Sequence, residues 1–126
     1  MSNGKARTVR VAAVQMESKN GLVEANLHHA TPLVEQAARA GAQLVLLPEF
    51  MPTGYIFSTA IWDGAEPKRG LTVQWLCENS KRLNVWVGTS FLEADGEDFF
   101  NTFVLATPDG KEAGRVRKQP PAAFEA

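Results

Sequence analysis

The feature that most constrains the fold of this chain is the alternation of short apolar segments with longer amphipathic ones. Residues 44–47 are four consecutive aliphatic residues that end at Pro48. Such a run is too short for a helix and has no polar alternation, which is typical of a strand covered on both faces. Residues 71–83 instead repeat apolar side chains with the period of a helix. Strands and helices alternate in this way over residues 9–15, 21–40, 44–47, 71–83 and 85–91. This order predicts a layered α/β domain.

The first predicted helix contains a proline. Leu27 and Ala30 follow helical spacing, and Gly41 stands where a left-handed residue commonly ends a helix. Pro32 removes a main-chain donor inside this segment. The sequence therefore leaves two alternatives, a helix that kinks at Pro32 or a helix that begins at Thr31 with Pro32 in its first position.

The C-terminal third is predicted to form a β-hairpin. The turn signature TPDG, with proline and glycine at its second and fourth positions, separates residues 101–106 from residues 112–118. Residues 51–70 contain five Pro or Gly residues and are predicted to form a long loop. Loops of this length in small domains are usually functional or mobile.

The composition excludes several classes of protein. Thirteen Lys and Arg residues against fourteen Asp and Glu residues give a net charge of −1, which argues against an electrostatic nucleic-acid binder. No segment reaches the ~20 apolar residues of a membrane span. The single cysteine cannot form an internal disulfide, and with only two histidines it cannot build a structural zinc site. We therefore expect one cytoplasmic domain over residues 1–126, with no nucleic-acid or membrane partner.

Glu49 and Lys118 are the strongest candidates for chemistry. Glu49 comes directly after a predicted buried strand, where ligands collect in parallel α/β sheets. Partial desolvation there is expected to raise its pKa and make it a general base near neutral pH. Lys118 ends the second strand of the hairpin, and its ammonium group would stabilise a developing oxyanion. The alternative for both residues is an ordinary solvated charge, and Glu49 has the further alternative of a cap for the following segment.

Other reactive or aromatic side chains carry weaker signals. Cys77 lies in the middle of the second predicted helix, on its apolar face, without a neighbouring histidine or helix N-terminus to activate it. Cysteines in such places are inert, so we expect Cys77 to be buried and remote from Glu49. Tyr55, Phe57 and Trp62 follow Glu49 in the long loop, and two interpretations stand for them: they line a substrate pocket, or they pack the loop down.

These motifs together resemble the nitrilase superfamily of carbon-nitrogen hydrolases. Four segments match in the family's order, from about residue 9 to residue 118: VRVAAVQM, AARAGAQLVLLPEFMPTGY, VWVGTSFLE and FFNTFVLATPDGKEAGRVRK. The resemblance implies the N-terminal half of a four-layer αββα sandwich of about twice this length. It also implies a homo-oligomer, commonly a dimer built through helices.

The resemblance also implies a catalytic set of Glu, Lys and Cys. Glu49 matches the family's PE motif and Lys118 its RK motif, and Glu125 is a weak match for a second acid found in many members. In the family the nucleophilic cysteine lies a few dozen residues beyond the lysine. This chain ends at Ala126, before the position where the resemblance would place that cysteine. Such enzymes hydrolyse small amides, carbamoyl compounds or nitriles without a metal or cofactor, through a thioester intermediate.

Two hypotheses follow from the missing nucleophile. In the first, the chain is the N-terminal portion of a carbon-nitrogen hydrolase and is inactive alone. In the second, it is an inactive half-domain that acts as an interaction or assembly module. The reading frame beyond Ala126 distinguishes them, because a further cysteine in a strand–turn–helix context favours the enzyme and a natural stop codon favours the module.

Overall fold

A computed structural model of the chain, which describes residues 6–56 and 58–118, contains one five-stranded sheet with the strands in chain order. The elements are β1 (Val11–Ala13), α1 (Val23–Arg39), β2 (Leu44–Leu46), a 3₁₀ helix (Thr59–Gly64), α2 (Leu71–Leu83), β3 (Trp86–Asp95), β4 (Asp98–Ala106) and β5 (Glu112–Arg117). This is the predicted α/β class. Among the described residues, no helix is long and apolar enough to cross a membrane.

The strand directions bring distant parts of the chain to one edge of the sheet. β1, β2 and β3 are parallel neighbours, whereas β4 is antiparallel to β3 and β5 is antiparallel to β4. Because two reversals restore the original direction, β5 runs the same way as β2. The carboxyl ends of β2 and β5 therefore lie at the same edge, although about seventy residues separate them in sequence.

Helix α1 continues past its internal proline. It begins at Val23 and continues past Pro32, so the alternative of a helix that begins at Thr31 is wrong. Leu27 before the proline and Val34 after it are both buried in the core. Burying these two side chains offsets the cost of about 3 kcal/mol that an internal proline imposes.

The end of α1 is the one predicted from its glycine. Gly41 has a φ of +96°, and its N–H donates to the carbonyl of Ala38. The next N–H, that of Ala42, donates to the carbonyl of Ala37. This pair of bonds is the Schellman motif, which satisfies the last carbonyls of a helix and favours glycine at the left-handed position.

The core lies between the two helices and one face of the sheet. Val45, Phe91 and Val104 project from three strands onto Leu76 and Val34 of the helices, and all five are fully buried. The predicted bounds of α2, residues 71–83, agree with the structure.

The opposite face of the sheet is an apolar surface that remains partly exposed. Cross-strand pairing puts Phe103 beside Val116 on this face, and Trp86 lies in the same way beside Leu44. Phe103, Val116 and Trp86 are all among the exposed large hydrophobic residues. The absence of a side chain at Gly88 leaves space for the Phe103 ring, because a Cβ at Gly88 would lie 2.6 Å from that ring. We call this surface the open face.

The main difference from the prediction is a second hairpin. β3 does not stop at residue 91 but continues to Asp95, turns through Gly96 and Glu97, and returns as β4 from Asp98. Gly96 has a φ of +63°, which suits a two-residue hairpin loop. Asp95 pairs with Asp98, so Gly96 and Glu97 are the central residues, and a glycine in the first of these positions is a hairpin signal from which no prediction was made. β1 and β2 are also shorter than predicted.

Candidate active site

Glu49 is carried on a strained turn directly after β2. Its neighbour Phe50 has a φ of +55°, a left-handed conformation that costs about 1–3 kcal/mol in a residue other than glycine. Two hydroxyl groups of β3 hold the turn. Ser90 Oγ accepts a hydrogen bond from the Phe50 N–H at 2.9 Å, and Thr89 Oγ1 donates to the carbonyl of Pro48 at 3.0 Å. The position of Glu49 is therefore set by the neighbouring strand.

Three side chains from separate segments donate to the Glu49 carboxylate. Lys118 Nζ lies 3.2 Å from Oε1, and Asn101 Nδ2 donates to the same oxygen. The Tyr55 hydroxyl donates to Oε2 at 2.5 Å. The site is open to solvent, with the side chains of Glu49 and Lys118 38% and 58% exposed. The predicted convergence of Glu49 and Lys118 is confirmed as geometry, while their catalytic roles stay a prediction.

The hairpin register explains how Lys118 reaches this edge. The Lys118 N–H donates to the carbonyl of Asn101 at 2.8 Å, one step beyond the last ladder pair of β4 and β5. Lys118 and Asn101 therefore stand side by side where β5 ends. Asn101 pairs across the sheet with Leu92 of β3, the strand that also holds the Glu49 turn.

Hydrogen bonding, rather than burial, decides the direction in which the pKa of Glu49 shifts. The bond from Tyr55 is the largest influence, and with the bonds from Asn101 and Lys118 it lowers the pKa of the Glu49 carboxyl below its usual value, although partial burial acts in the opposite direction. The expectation of a raised pKa is therefore wrong, because three donors outweigh the desolvation. Burial and the bond to Glu49 raise the pKa of Tyr55 to about 12. At neutral pH the pair is a carboxylate and a protonated phenol.

An open depression of about 370 Å³ adjoins this carboxylate. Its polar wall is formed by Glu49, Ser90, Asn101 and Lys118, and its apolar wall by Leu47, Phe103 and Val116. The apolar wall belongs in part to the open face, so the depression lies where the uncovered sheet meets the carboxylate. A larger depression, of about 700 Å³, lies around Glu93 and Arg115 and contains none of the predicted site residues.

The remaining predicted residues fall in different places. Tyr55 contacts Glu49, whereas the Trp62 ring packs on Phe99 of β4 with the ring centroids 4.4 Å apart. Phe57 and Glu125 lie outside the described residues. Asn101 is a site residue that the sequence did not predict. The only signal for it was its place in the NT motif, because its contact with Glu49 depends on the register of the hairpin.

Cys77 lies on α2, away from this site. It is only partly buried, so the expectation of full burial was too strong, and it packs against the edge of the core. Burial raises the pKa of its thiol, and the charge of Glu112 adds to this effect. None of the groups that influence its pKa is a hydrogen-bond partner of Glu49.

We predict that Cys77 reacts slowly with a thiol reagent at neutral pH, because a raised pKa leaves little thiolate. Labelling followed by absorbance should be several times slower in the native chain than in the same chain in urea. Equal rates, or native labelling faster than that of a free thiol, would contradict this prediction.

Comparisons with known proteins agree with the motifs and the geometry. The sequence model of the carbon-nitrogen hydrolase family matches residues 10–123. The chain is 34% identical over 113 residues to a nitrilase of Pyrococcus abyssi, covering 87% of this chain and 43% of that protein. It is also 34% identical over 112 residues to the omega-amidase NIT2 of Mus musculus, covering 88% of this chain and 40% of that protein.

The fold is also similar to that of a solved structure from this superfamily. The crystal structure of XC1258 from Xanthomonas campestris, a CN-hydrolase superfamily protein, superposes with a TM-score of 0.83 at 28% identity, covering 95% of this chain and 44% of that one. The chain thus spans less than half the length of the proteins that it matches. From its motifs, its α/β fold and these matches, the chain belongs to the carbon-nitrogen hydrolase family.

Proposed function

We propose that this chain is the N-terminal portion of an enzyme that hydrolyses a non-peptide carbon–nitrogen bond of a small amide, carbamoyl compound or nitrile. The observation that carries the proposal is the contact between Lys118 and the Glu49 carboxylate, beside an open depression, in a member of this family. A base and a cation that share one site are what a thiol nucleophile needs for attack on a polarised carbon.

In the proposed mechanism, Glu49 acts as general base and Lys118 as oxyanion stabiliser. The Glu49 carboxylate accepts the proton of a cysteine thiol, and the thiolate attacks the substrate carbon. For an amide, the Lys118 ammonium stabilises the negative charge of the tetrahedral intermediate, and the amine leaves with the proton held by Glu49. Water then hydrolyses the thioester and restores the thiol.

The nucleophile is proposed to come from residues beyond Ala126. The matched relatives are more than twice as long as the segment that they share with this chain, and the role of Cys77 is disfavoured by its raised pKa and its place on α2. The chain of 126 residues is therefore proposed to be inactive by itself. Losing the nucleophile of a catalytic triad costs about as much as losing all its members.

The substrate class is supported by the names of the relatives. One is a nitrilase and the other an omega-amidase, so both nitriles and amides belong in the assay. Release of ammonia should be measured with a panel of small nitriles, amides and carbamoyl compounds. The samples are this chain, its Cys77→Ala variant, and the polypeptide that the reading frame encodes through the next cysteine.

Activity is expected only in the longer polypeptide. Activity of the short chain that survives Cys77→Ala would show that the chemistry has been misplaced. A longer polypeptide that contains the new cysteine, folds and hydrolyses none of the panel would overturn the proposed function.

A second candidate, an assembly module, is favoured by the open face. Three large side chains on that face, Trp86, Phe103 and Val116, are exposed, and exposed apolar surface on a sheet can serve as a contact with another protein. We propose that the chain self-associates through it as a homo-oligomer. Sedimentation velocity should show that this chain associates and that the Trp86→Lys variant associates less. If the reading frame has a natural stop codon after Ala126 and the chain is an inactive monomer, this candidate has no support.

A further inference from the structure

The two oxygens of the Glu49 carboxylate have different surroundings. Oε1 accepts from two donors, Asn101 and Lys118, whereas Oε2 accepts from the Tyr55 hydroxyl. A carboxylate oxygen has two lone pairs. Counting partners within residues 6–56 and 58–118, Oε1 is therefore saturated, and Oε2 retains a lone pair beside the bond from Tyr55.

The position of Tyr55 depends on the same strained turn that carries Glu49. Its ring meets the Phe50 ring edge-on, with the centroids 5.3 Å apart and an interplanar angle of 82°. Phe50 is in turn held by its hydrogen bond to Ser90. β3 thus orients both the carboxylate and the phenol that binds it.

Tyr55 does not need this hydrogen bond for its own burial. The residue as a whole is 50% exposed, so burial in the core does not hold it in place. The bond to Glu49 gives the carboxylate a fixed orientation and a donor on one oxygen.

We propose that Tyr55 is a positioning residue that presents Oε2 of Glu49 as the oxygen that receives the proton of the attacking thiol, while Asn101 and Lys118 anchor Oε1. This inference rests on the proposed hydrolase function. In the step concerned, the thiol S–H bond breaks, an O–H bond forms at Oε2, and the electron pair left on sulfur attacks the substrate carbon.

The groups that face this carboxylate from the loop, β4 and the end of β5 are the Tyr55 phenol, the Asn101 amide and the Lys118 ammonium group. The Tyr55 bond is the largest influence that lowers the pKa of Glu49. Loss of the hydroxyl should therefore raise that pKa, so that less of Glu49 is ionised at acid pH.

The test compares Tyr55→Phe, which keeps the ring, with Ser58→Ala, which removes an exposed hydroxyl of the same loop that binds a main-chain N–H and not Glu49. Carbon-13 NMR follows the Glu49 carboxyl carbon of this chain during a pH titration, with Glu49→Gln to assign its signal. We expect a higher midpoint in Tyr55→Phe and an unchanged midpoint in Ser58→Ala. Equal midpoints in all three proteins, or an equal rise in both variants, would overturn the inference.

The phenol provides a reciprocal measurement, because Tyr55 is the only tyrosine of the chain. Its absorbance should report ionisation at a pH of about 12 in the wild type. In Glu49→Gln the midpoint should fall, because the acceptor has lost its negative charge. An unchanged midpoint, with tryptophan fluorescence showing both proteins folded, would contradict the bond.

Kinetic measurements distinguish a failure of this inference from a failure of the proposed hydrolase function. In the polypeptide that carries the nucleophile, Tyr55→Phe should lower kcat by about ten- to hundredfold and move the acid limb of the pH profile to higher pH. Full activity and an unmoved profile in Tyr55→Phe, with Glu49→Gln inactive, would overturn the role of Tyr55 and leave the proposed function standing. Full activity in Glu49→Gln would overturn the proposed function itself.

Discussion

Replacement of Glu49 by glutamine is expected to lower kcat/KM for amides or nitriles by about 10²- to 10⁴-fold in the polypeptide that carries the nucleophilic cysteine. Glutamine keeps the shape of the side chain and still accepts from Asn101 and Lys118, but it does not take up the thiol proton. The matched control is Glu97→Gln, which removes the charge of an exposed glutamate in the β3–β4 turn.

Steady-state ammonia release over a range of substrate concentrations measures both constants. The expected pattern is a loss in kcat with folding unchanged by circular dichroism, and an unaltered rate in Glu97→Gln. A Glu49→Gln enzyme with a rate within a factor of about three of wild type would show that another group is the base.

The second large effect is expected on stability, from Glu93. This residue is 1% exposed, and its carboxylate accepts from Thr102 Oγ1 at 2.7 Å and from Arg117 Nη2 at 3.1 Å. Arg115 Nη1 lies 3.3 Å from it. Glu93→Gln should lower the free energy of unfolding by about 2–4 kcal/mol, because it leaves the largely buried Arg115 without one of its carboxylate partners.

Asp95→Asn is the matched control, because Asp95 lies on the same strand and binds the same Arg117 but is 63% exposed. Exposed ion pairs contribute little, so its loss should cost less than about 1 kcal/mol. Urea unfolding followed by tryptophan fluorescence measures both variants. Equal losses in the two variants would show that the burial of Glu93 is not the cause.

The same carboxylate makes the stability depend on pH. Burial alone would raise the pKa of Glu93, but the hydrogen bonds from Arg117 and Thr102 and the charges of both arginines outweigh it, so the pKa is lowered on folding. A carboxyl whose pKa is lower in the folded state stabilises the fold above its unfolded pKa and loses that contribution as the pH falls through its folded pKa. The difference in the free energy of unfolding between wild type and Glu93→Gln should therefore become smaller when the pH falls below the usual pKa range of glutamate.

The course of the chain could be predicted largely from local patterns. The bounds of α2, the left-handed end of α1 at Gly41 and the order of strands and helices all agree with the structure, because helical periodicity and glycine conformations are properties of neighbouring residues. The path of α1 through Pro32 was not predictable in the same way. It depends on the core that Leu27 and Val34 share, and that core exists only after folding.

The same distinction between local sequence patterns and tertiary contacts applies to the candidate site. The sequence by itself determined which residues carry the family resemblance, with Glu49 after a buried strand and Lys118 at the end of a hairpin. Only the tertiary structure decided that Asn101 and Tyr55 complete the surroundings of the carboxylate and that the pKa of Glu49 is lowered rather than raised. The physical reason is that hydrogen bonds between side chains about 6 to 70 residues apart depend on strand register and on a strained turn, and neither leaves a periodic signal in the sequence.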